Sequence, residues 1–382
     1  MKFIKSTKTV LLPLLEAANN FAGPTFTSVD DGTDKDKTPV VRLVFSENKL
    51  EIQAINWNAG INLDLEIENE DDASYLLPIR LLIETISKLE SDEVLLGLDK
   101  AHLVIKSPSG KTSLKEFPDG NPTPPAKVPT HATLINGVDF SHALGMVAFA
   151  CARPNSSHES LQGVRIDLSS DKEMTLVGTD GFRISAYASP LGWEQLGRES
   201  YEKGFTVPTK TVTALVKCLA KQPGTIKMGV SSTQFAVEWD NGYVFTTLVQ
   251  GNYPDWKAIF PEKTKTKITF LNGFQNAVRA AKILATGSDH VSPGITLDIT
   301  NERTFVKSGS DEGSSTIKLV PSFEGVGNLE IMFNGDYLPD HIQGEITVGL
   351  NEKNTPSTFE SNLEQGWRYL LMPLALLDKK VG

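Results

Sequence analysis

Apolar residues recur every three or four positions over three stretches of the chain, Lys8 to Phe21, Phe140 to Ala152 and Phe274 to Ala285, and each stretch predicts an amphipathic helix. After each helix the period changes to two. The segments LEIQAINWNAGINLDLEI (50–67), MTLVGTDGFRISAYAS (174–189) and RTFVKSGSDEGSSTIKL (303–319) read as strand, polar turn, strand. A second helical pattern follows, in PIRLLIETISKLE (78–90), PTKTVTALVKCLAKQ (208–222) and, more weakly, NGDYLPDHIQG (334–344). It leads directly into the related strands VLLGLD, IKMGVS and ITVGLN, whose glycines are Gly97, Gly229 and Gly349. A closing hairpin ends near proline each time, at Phe117-Pro118, at Tyr253-Pro254 and over Tyr369 to Pro373.

Four landmarks in the same order, with glycines 132 and 120 residues apart, mark one unit written three times. The near-identical leads LING (134–137) and FLNG (270–273) before two of the helices support the same register. The expected domains are 1–129, 130–261 and 262–382, each with two helices on about eight short antiparallel strands, an α+β class of ordinary domain size.

Composition narrows the function classes. Hydrophobic residues make up 40% of the 382 positions, enough for real cores, and no apolar run approaches the ~20 residues of a membrane span. The start MKFIKSTKTVLLPLLEA resembles a secretory leader, but Pro13 and Glu16 interrupt it and no small-residue cleavage site follows, so a cytoplasmic protein is expected. Cys151 and Cys218 have no CxxC partner and read as buried free thiols. The six histidines, His102, His131, His142, His158, His290 and His341, are scattered without metal spacing, so no metal or cofactor is expected. Neither GxSxG nor GxxxxGK[ST] occurs. The acidic clusters Asp30-Asp31 and Glu70 to Asp72 fall in polar loops and read as solvated surface. Asp180 of the TDG turn reads as a residue bonding its own backbone rather than a catalytic carboxylate. A non-catalytic protein is therefore expected.

The formal net charge is −10, which alone argues against a nucleic-acid partner. Its distribution argues the other way. The six predicted helices hold nine basic residues, Lys8, Arg80, Lys88, Arg153, Lys210, Lys217, Lys221, Arg279 and Lys282, against five acids, Glu16, Glu84, Glu90, Asp336 and Asp340. Lys210, Lys217 and Lys221 fall within about 20° of one line along their helix, opposite Val212, Leu215, Val216 and Leu219. A solvated lysine face is the simpler account of any one helix; segregation over several favours a polyanion.

At LQGVRIDL (161–168), TDGFRIS (179–185), VPTKTV (207–212), YPDWKAIFP (253–261) and YLLMPL (369–374) the chain resembles the beta sliding clamp family of bacterial DNA polymerase III. The likeness runs from Met1 to about Leu376 and includes the threefold repeat. It implies three clamp domains in a crescent that closes head to tail as a homodimeric ring, with helices lining the hole and sheets outside. The inward cations named above would meet phosphates of double-stranded DNA without reading sequence, and retention would come from topology. Ring closure would involve Leu114 of one protomer with Ile283 and Leu284 of the other. No enzymatic activity is implied: the family serves replication as a processivity factor.

The resemblance also implies a pocket for short linear motifs of the polymerase alpha subunit, the clamp loader and repair proteins. Carried across one at a time, its positions are Leu161, Thr179, Gly181, Phe182, Arg183, Ile184, Pro254, Ile259, Asn334, Tyr337, Leu370, Met372, Pro373 and Leu374. Read without the resemblance, Leu370 to Leu374 is simply a last core strand. Some positions depart from the family pattern: Phe182 stands where TDGHR is common, Ala258 where arginine is frequent, and Asp378 to Gly382 extend past the usual end. The loop AGPTFTSVDDG (22–32) lacks a basic residue often found there. Two alternatives stay open: a mobile-element clamp homologue or peptide-binding hub that does not encircle DNA, and a hydrolase or transferase for which no residue constellation is found.

Overall fold

The computed structural model describes residues 3–23, 38–108, 110–117, 132–154, 156–168, 173–189, 204–220, 224–285, 293–300, 302–325 and 327–374. Lys221, Asp30-Asp31, Pro118, His131, His290 and residues 378–382 lie outside them.

The first repeat runs β1 (Phe3–Thr7), α1 (Lys8–Asn19), β2 (Val40–Ser46), β3 (Lys49–Ile55), β4 (Ala59–Glu66), β5 (Ala73–Pro78), α2 (Ile79–Ser87), β6 (Glu93–Asp99), β7 (His102–Ser107) and β8 (Gly110–Lys115). The middle repeat has the same order: β9 (Ala132–Asn136), α3 (Gly137–Ala148), β10 (Gly163–Asp167), β11 (Met174–Thr179), β12 (Arg183–Ser189), β13 (Phe205–Pro208), α4 (Thr209–Leu219), β14 (Thr225–Val230), β15 (Gln234–Trp239) and β16 (Gly242–Thr247). The last contains β17 (Thr266–Phe270), α5 (Phe274–Leu284), β18 (Gly294–Ile299), β19 (Thr304–Ser310), β20 (Gly313–Leu319), β21 (Ser322–Gly325), β22 (Leu329–Asn334), β23 (Ile346–Leu350), β24 (Ser357–Ser361) and β25 (Trp367–Leu371).

The strand pairing bears the repeat out, with the leads LING and FLNG one residue out of step: Leu134 lies opposite Lys227, two before Gly229, and Phe270 opposite Ile346, three before Gly349. In each third the strand before the first helix lies antiparallel to the glycine-marked strand. Gly97 sits opposite Phe3, Gly229 opposite Ala132 and Gly349 opposite Lys267. At Gly349 the close approach is visible, because an added Cβ would lie 2.5 Å from Thr358 Oγ1.

One expected helix is not formed. The segment 334–344 holds only a short 3-10 turn at Gly335–Tyr337. Pro339 accounts for this: it has no N–H to give, and its ring would strike the carbonyl four residues earlier, that of Gly335. Gly344, at φ +89°, turns the chain back toward β23. Leu338 and Ile342, spaced like a helical stripe, are instead buried side chains of a turn.

The described residues form two compact units, and the middle repeat contributes to both. The first takes those within Met1–Gly145, Leu168–Glu173 and Leu191–Val249. Its larger sheet runs β5-β2-β3-β4-β16-β15-β14-β9, so that β4 and β16 join strands of two repeats in one layer. A four-stranded sheet, β1-β6-β7-β8, completes it. The helices bury one face each: Leu11, Leu15 and Ala18 of α1, Ile79, Leu82 and Ile86 of α2, Val212, Leu215 and Leu219 of α4. Pro13 stands on the exposed side of α1, where its missing N–H costs least.

The second unit takes the described residues within Met146–Asp167, Met174–Pro190 and Gln250–Gly382. Its strands follow in the order β10-β11-β12-β25-β24-β23-β17-β21, and here β12 and β25 join two repeats. A second sheet runs β20-β19-β18-β22. Phe270, Phe274, Phe333, Phe359, Trp367 and Tyr369 are all almost wholly buried in this unit. Neighbouring rings among them lie 4.9 to 6.5 Å apart, the spacing of attractive aromatic pairs.

Candidate functional site

In the second unit, the turn between β11 and β12 is built entirely from its own TDGFR sequence. Asp180 Oδ1 accepts from the backbone N–H of Phe182 (3.0 Å) and of Arg183 (3.2 Å). Thr179 Oγ1 donates to the Arg183 carbonyl at 2.7 Å and accepts from Gly181 N at 3.2 Å. Gly181 holds φ +91°, a left-handed position that glycine takes without strain. Asp180 Oδ2 also binds Arg183 Nε at 2.9 Å, both side chains being nearly buried. Asp180 is thus a structural turn residue.

The guanidinium of Arg183 lies 4.0 Å from the ring centre of Tyr337 and 5.8 Å from that of Phe149. Such stacking is worth about 1 kcal/mol or more once partly desolvated. Burial chiefly, with the charge of Asp180, raises the Tyr337 phenol above its ordinary range, and Arg183 opposes this. With its charge met by Asp180, Arg183 presents an aliphatic stem and a planar edge to its surroundings. Phe182 stands outward, 65% exposed, because the turn leaves it nowhere to pack.

Three other segments complete a cavity of about 290 Å³ around this turn. β25 pairs with β12, placing Leu370 opposite Ile184, and Met372 N then donates to the Phe182 carbonyl at 2.9 Å. A 3-10 turn at Glu159–Leu161 delivers Leu161, and Ala152 N ties it to β11 by sharing the carbonyls of Leu161 and Thr179. The YPDWKAIFP segment brings Pro254 and Ile259. It is pinned by Tyr253 OH to the Val177 carbonyl (3.2 Å) and Trp256 Nε1 to Asp167 Oδ2 (3.0 Å). Burial raises the Tyr253 phenol well above its usual value, consistent with a purely structural hydroxyl.

Of the fourteen pocket positions expected from sequence, the cavity is lined by Leu161, Thr179, Gly181, Phe182, Arg183, Ile184, Pro254, Ile259, Leu370 and Met372. Tyr337 stands behind Arg183. Asn334, Pro373 and Leu374 lie off the lining; Asn334 accepts from Asp336 N, and Leu374 N donates to the Met332 carbonyl. His158 lines the cavity as well, and only its closeness to Leu161 in sequence hinted at it. The cavity is mostly apolar, with Phe182, Ile259 and Met372 partly exposed at its lip, and it fits apolar side chains of an extended ligand.

The cations divide into two kinds. Arg80, Lys88, Lys210 and Lys217 are exposed on or just beyond α2 and on α4, and among the described residues no acidic side chain pairs with them. Arg153 is exposed after α3. Lys8, by contrast, donates to the carbonyls of Ser87 and Leu89 at 3.0 and 2.7 Å, capping the end of α2. Arg279 and Lys282 on α5 both contact Asp340. By repeat, the sequence's surplus of helical positive charge falls on the middle one. Lys8, Arg80 and Lys88 are matched by Glu16, Glu84 and Glu90, and Arg279 and Lys282 by Asp336 and Asp340.

Of the residues expected at ring closure, Leu114 is buried in its own sheet, Ile283 is 77% exposed and Leu284 is half-buried. Cys151 is buried, and burial pushes the half-buried Cys218 thiol to about 11. Among the described residues no three His, Cys, Asp or Glu side chains cluster as metal ligands, and no helix is long and apolar enough to cross a membrane.

Comparisons with known proteins agree with this architecture. Residues 135–255 match the family model for the DNA polymerase III beta subunit, central domain. The beta sliding clamp of Staphylococcus epidermidis is 28% identical over 283 residues, 72% of each chain. The crystal structure of the DNA polymerase III beta subunit from Thermotoga maritima superposes with a TM-score of 0.81 at 19% identity, covering 98% of this chain and 100% of that one. The sliding clamp of Bartonella birtlesii, solved bound to griselimycin, gives 0.80 at 20% identity over 98% and 100%. The middle of the chain is thus similar to the central domain of the DNA polymerase III beta subunit, and the fold is that of the bacterial beta sliding clamps it resembles.

Proposed function

We propose that the chain is a DNA sliding clamp, a non-catalytic processivity factor of the cytoplasm that encircles duplex DNA and tethers a replicative polymerase. Three clamp domains, 1–129, 130–261 and 262–382, make up the protomer, and two protomers close head to tail as a ring. The observation that carries this reading is the placing of exposed cations, Arg80, Lys88, Lys210 and Lys217, which have no acidic partner among the described residues, on or just beyond helices of a chain whose net charge is −10. A tight polyanion site would need many more such contacts, whereas a ring held by topology needs only a few that let it move. The acidic remainder limits non-specific adhesion.

The cavity around the TDGFR turn is the docking site for short linear motifs of the polymerase alpha subunit, the clamp loader and repair proteins. Burying about four apolar anchors at ~2 kcal/mol each gives roughly 8 kcal/mol before ordering costs. Affinity is then about micromolar or weaker, which allows partners to exchange.

Primer extension on a singly primed circular template, with a polymerase III alpha subunit and a clamp loader, tests the reading. Addition of the protein should lengthen the products of a single binding event several-fold. Unchanged product length in the presence of a stable dimer and bound polymerase peptide would contradict it.

A further inference from the structure

The first two repeats place a helix before the glycine-marked strand; the last places a turn there, and that turn carries an acid to α5. Asp340 follows Pro339, and its carboxylate lies 3.0 Å from Lys282 Nζ and 3.9 Å from Arg279 Nε. Its backbone carbonyl accepts from Arg279 Nη2 at 2.5 Å. Gln275 Nε2, one turn earlier on α5, donates to the carbonyls of Ile342 (3.0 Å) and Gly344 (2.8 Å). Asp340 is therefore no wandering surface acid. The turn at and after it is fastened to the helix, and its side chain is only 19% exposed.

We infer that Asp340 is a built-in counter-charge that keeps Arg279 and Lys282 from gripping DNA phosphates, so that the sequence-independent hold rests on cations of other helices, chiefly Lys210 and Lys217 of α4. The inference rests on the sliding-clamp reading and concerns how that clamp regulates its hold. Two cations sharing one carboxylate leave one net positive charge where the bare helix would show two, and the guanidinium is further occupied by a carbonyl. An isolated exposed ion pair would restrain them little. Here the acid is shared, partly buried and fixed by backbone, which makes the restraint cooperative. A ring that must slide gains from this, since each phosphate contact released lowers friction along the duplex.

The test is the salt dependence of binding of the full-length protein to a fluorescent 30-base-pair duplex, read by anisotropy. Each phosphate contact contributes about 0.9 to the slope of log K against log [NaCl]. Asp340→Asn should steepen the slope by at least about 0.9 per protomer. Arg279→Gln/Lys282→Gln in the wild-type background should leave it unchanged, while Lys210→Gln/Lys217→Gln should flatten it. Retained binding of a polymerase motif peptide verifies that each variant is folded. A parallel line for Asp340→Asn, or a flattened one for Arg279→Gln/Lys282→Gln, overturns the inference with the clamp reading intact. Absence of any salt-sensitive binding by the wild-type protein overturns both.

Discussion

Helix α4 and the turn at 334–344 occupy the same place in successive repeats, and they do opposite things. α4 spans eleven residues, buries Val212, Leu215 and Leu219, and turns Lys210 and Lys217 outward. The later segment also buries two leucine-like positions four apart, Leu338 and Ile342, yet it bends at Pro339 and brings Asp340 against its neighbour helix. A single proline removes the backbone bond that a helix at this point requires. The resulting turn exchanges an outward pair of cations for an inward acid. Repetition thus conserves the strand pairing, where glycine and alternation decide, more strictly than the helices, where one residue can end the element.

The comparison breaks most severely if α4 is made to resemble its counterpart. Thr213 is exposed at mid-helix, and Thr213→Pro removes its N–H and crowds the Thr209 carbonyl, at a cost of about 3 kcal/mol or more. Chemical denaturation should register the whole of this loss. Next in size, Lys210→Glu/Lys217→Glu reverses the outward charge of α4 without touching its buried face. Duplex affinity at low salt should fall by a factor on the order of 10 to 100, with far-UV circular dichroism unchanged.

Met372→Ala touches neither place and separates the two functions. It should weaken motif-peptide binding about tenfold by calorimetry, for the loss of roughly 1 to 1.5 kcal/mol of apolar contact, and leave duplex binding alone. The smallest effect is expected at the turn itself. Pro339→Ala should change stability by under about 1 kcal/mol, because Gln275 and Arg279 still hold the carbonyls of Asp340, Ile342 and Gly344.

These contrasts also show how far the sequence could be read. The three opening helices, the two helices before Gly97 and Gly229, and all three strand-turn-strand segments stand where periodicity puts them, because each has its own local pattern. The helix expected at 334–344 rested on apolar spacing, which a turn with two inward side chains imitates. In the pocket, Leu370 to Leu374 reads both as a core strand and as part of a binding surface. The first two residues are buried in β25, and Met372, just beyond it, reaches the lip. What was not legible depends on distant pairings. Lys8 counts as a free cation until Ser87 and Leu89 are seen beside it, 79 and 81 residues away. Arg183 looks like a charged pocket group until Asp180 and Tyr337 are found holding it. His158 belongs to no motif at all.

Retention on circular DNA tests the central claim most directly. The protein is loaded onto a nicked plasmid by a clamp loader, freed of unbound material by gel filtration, and the plasmid is then cut once. A ring held by topology co-elutes with the circle and is lost from the linear molecule, at salt concentrations that abolish simple electrostatic binding. Equal retention on both forms, or none on the circle despite a dimer in solution, would contradict the account.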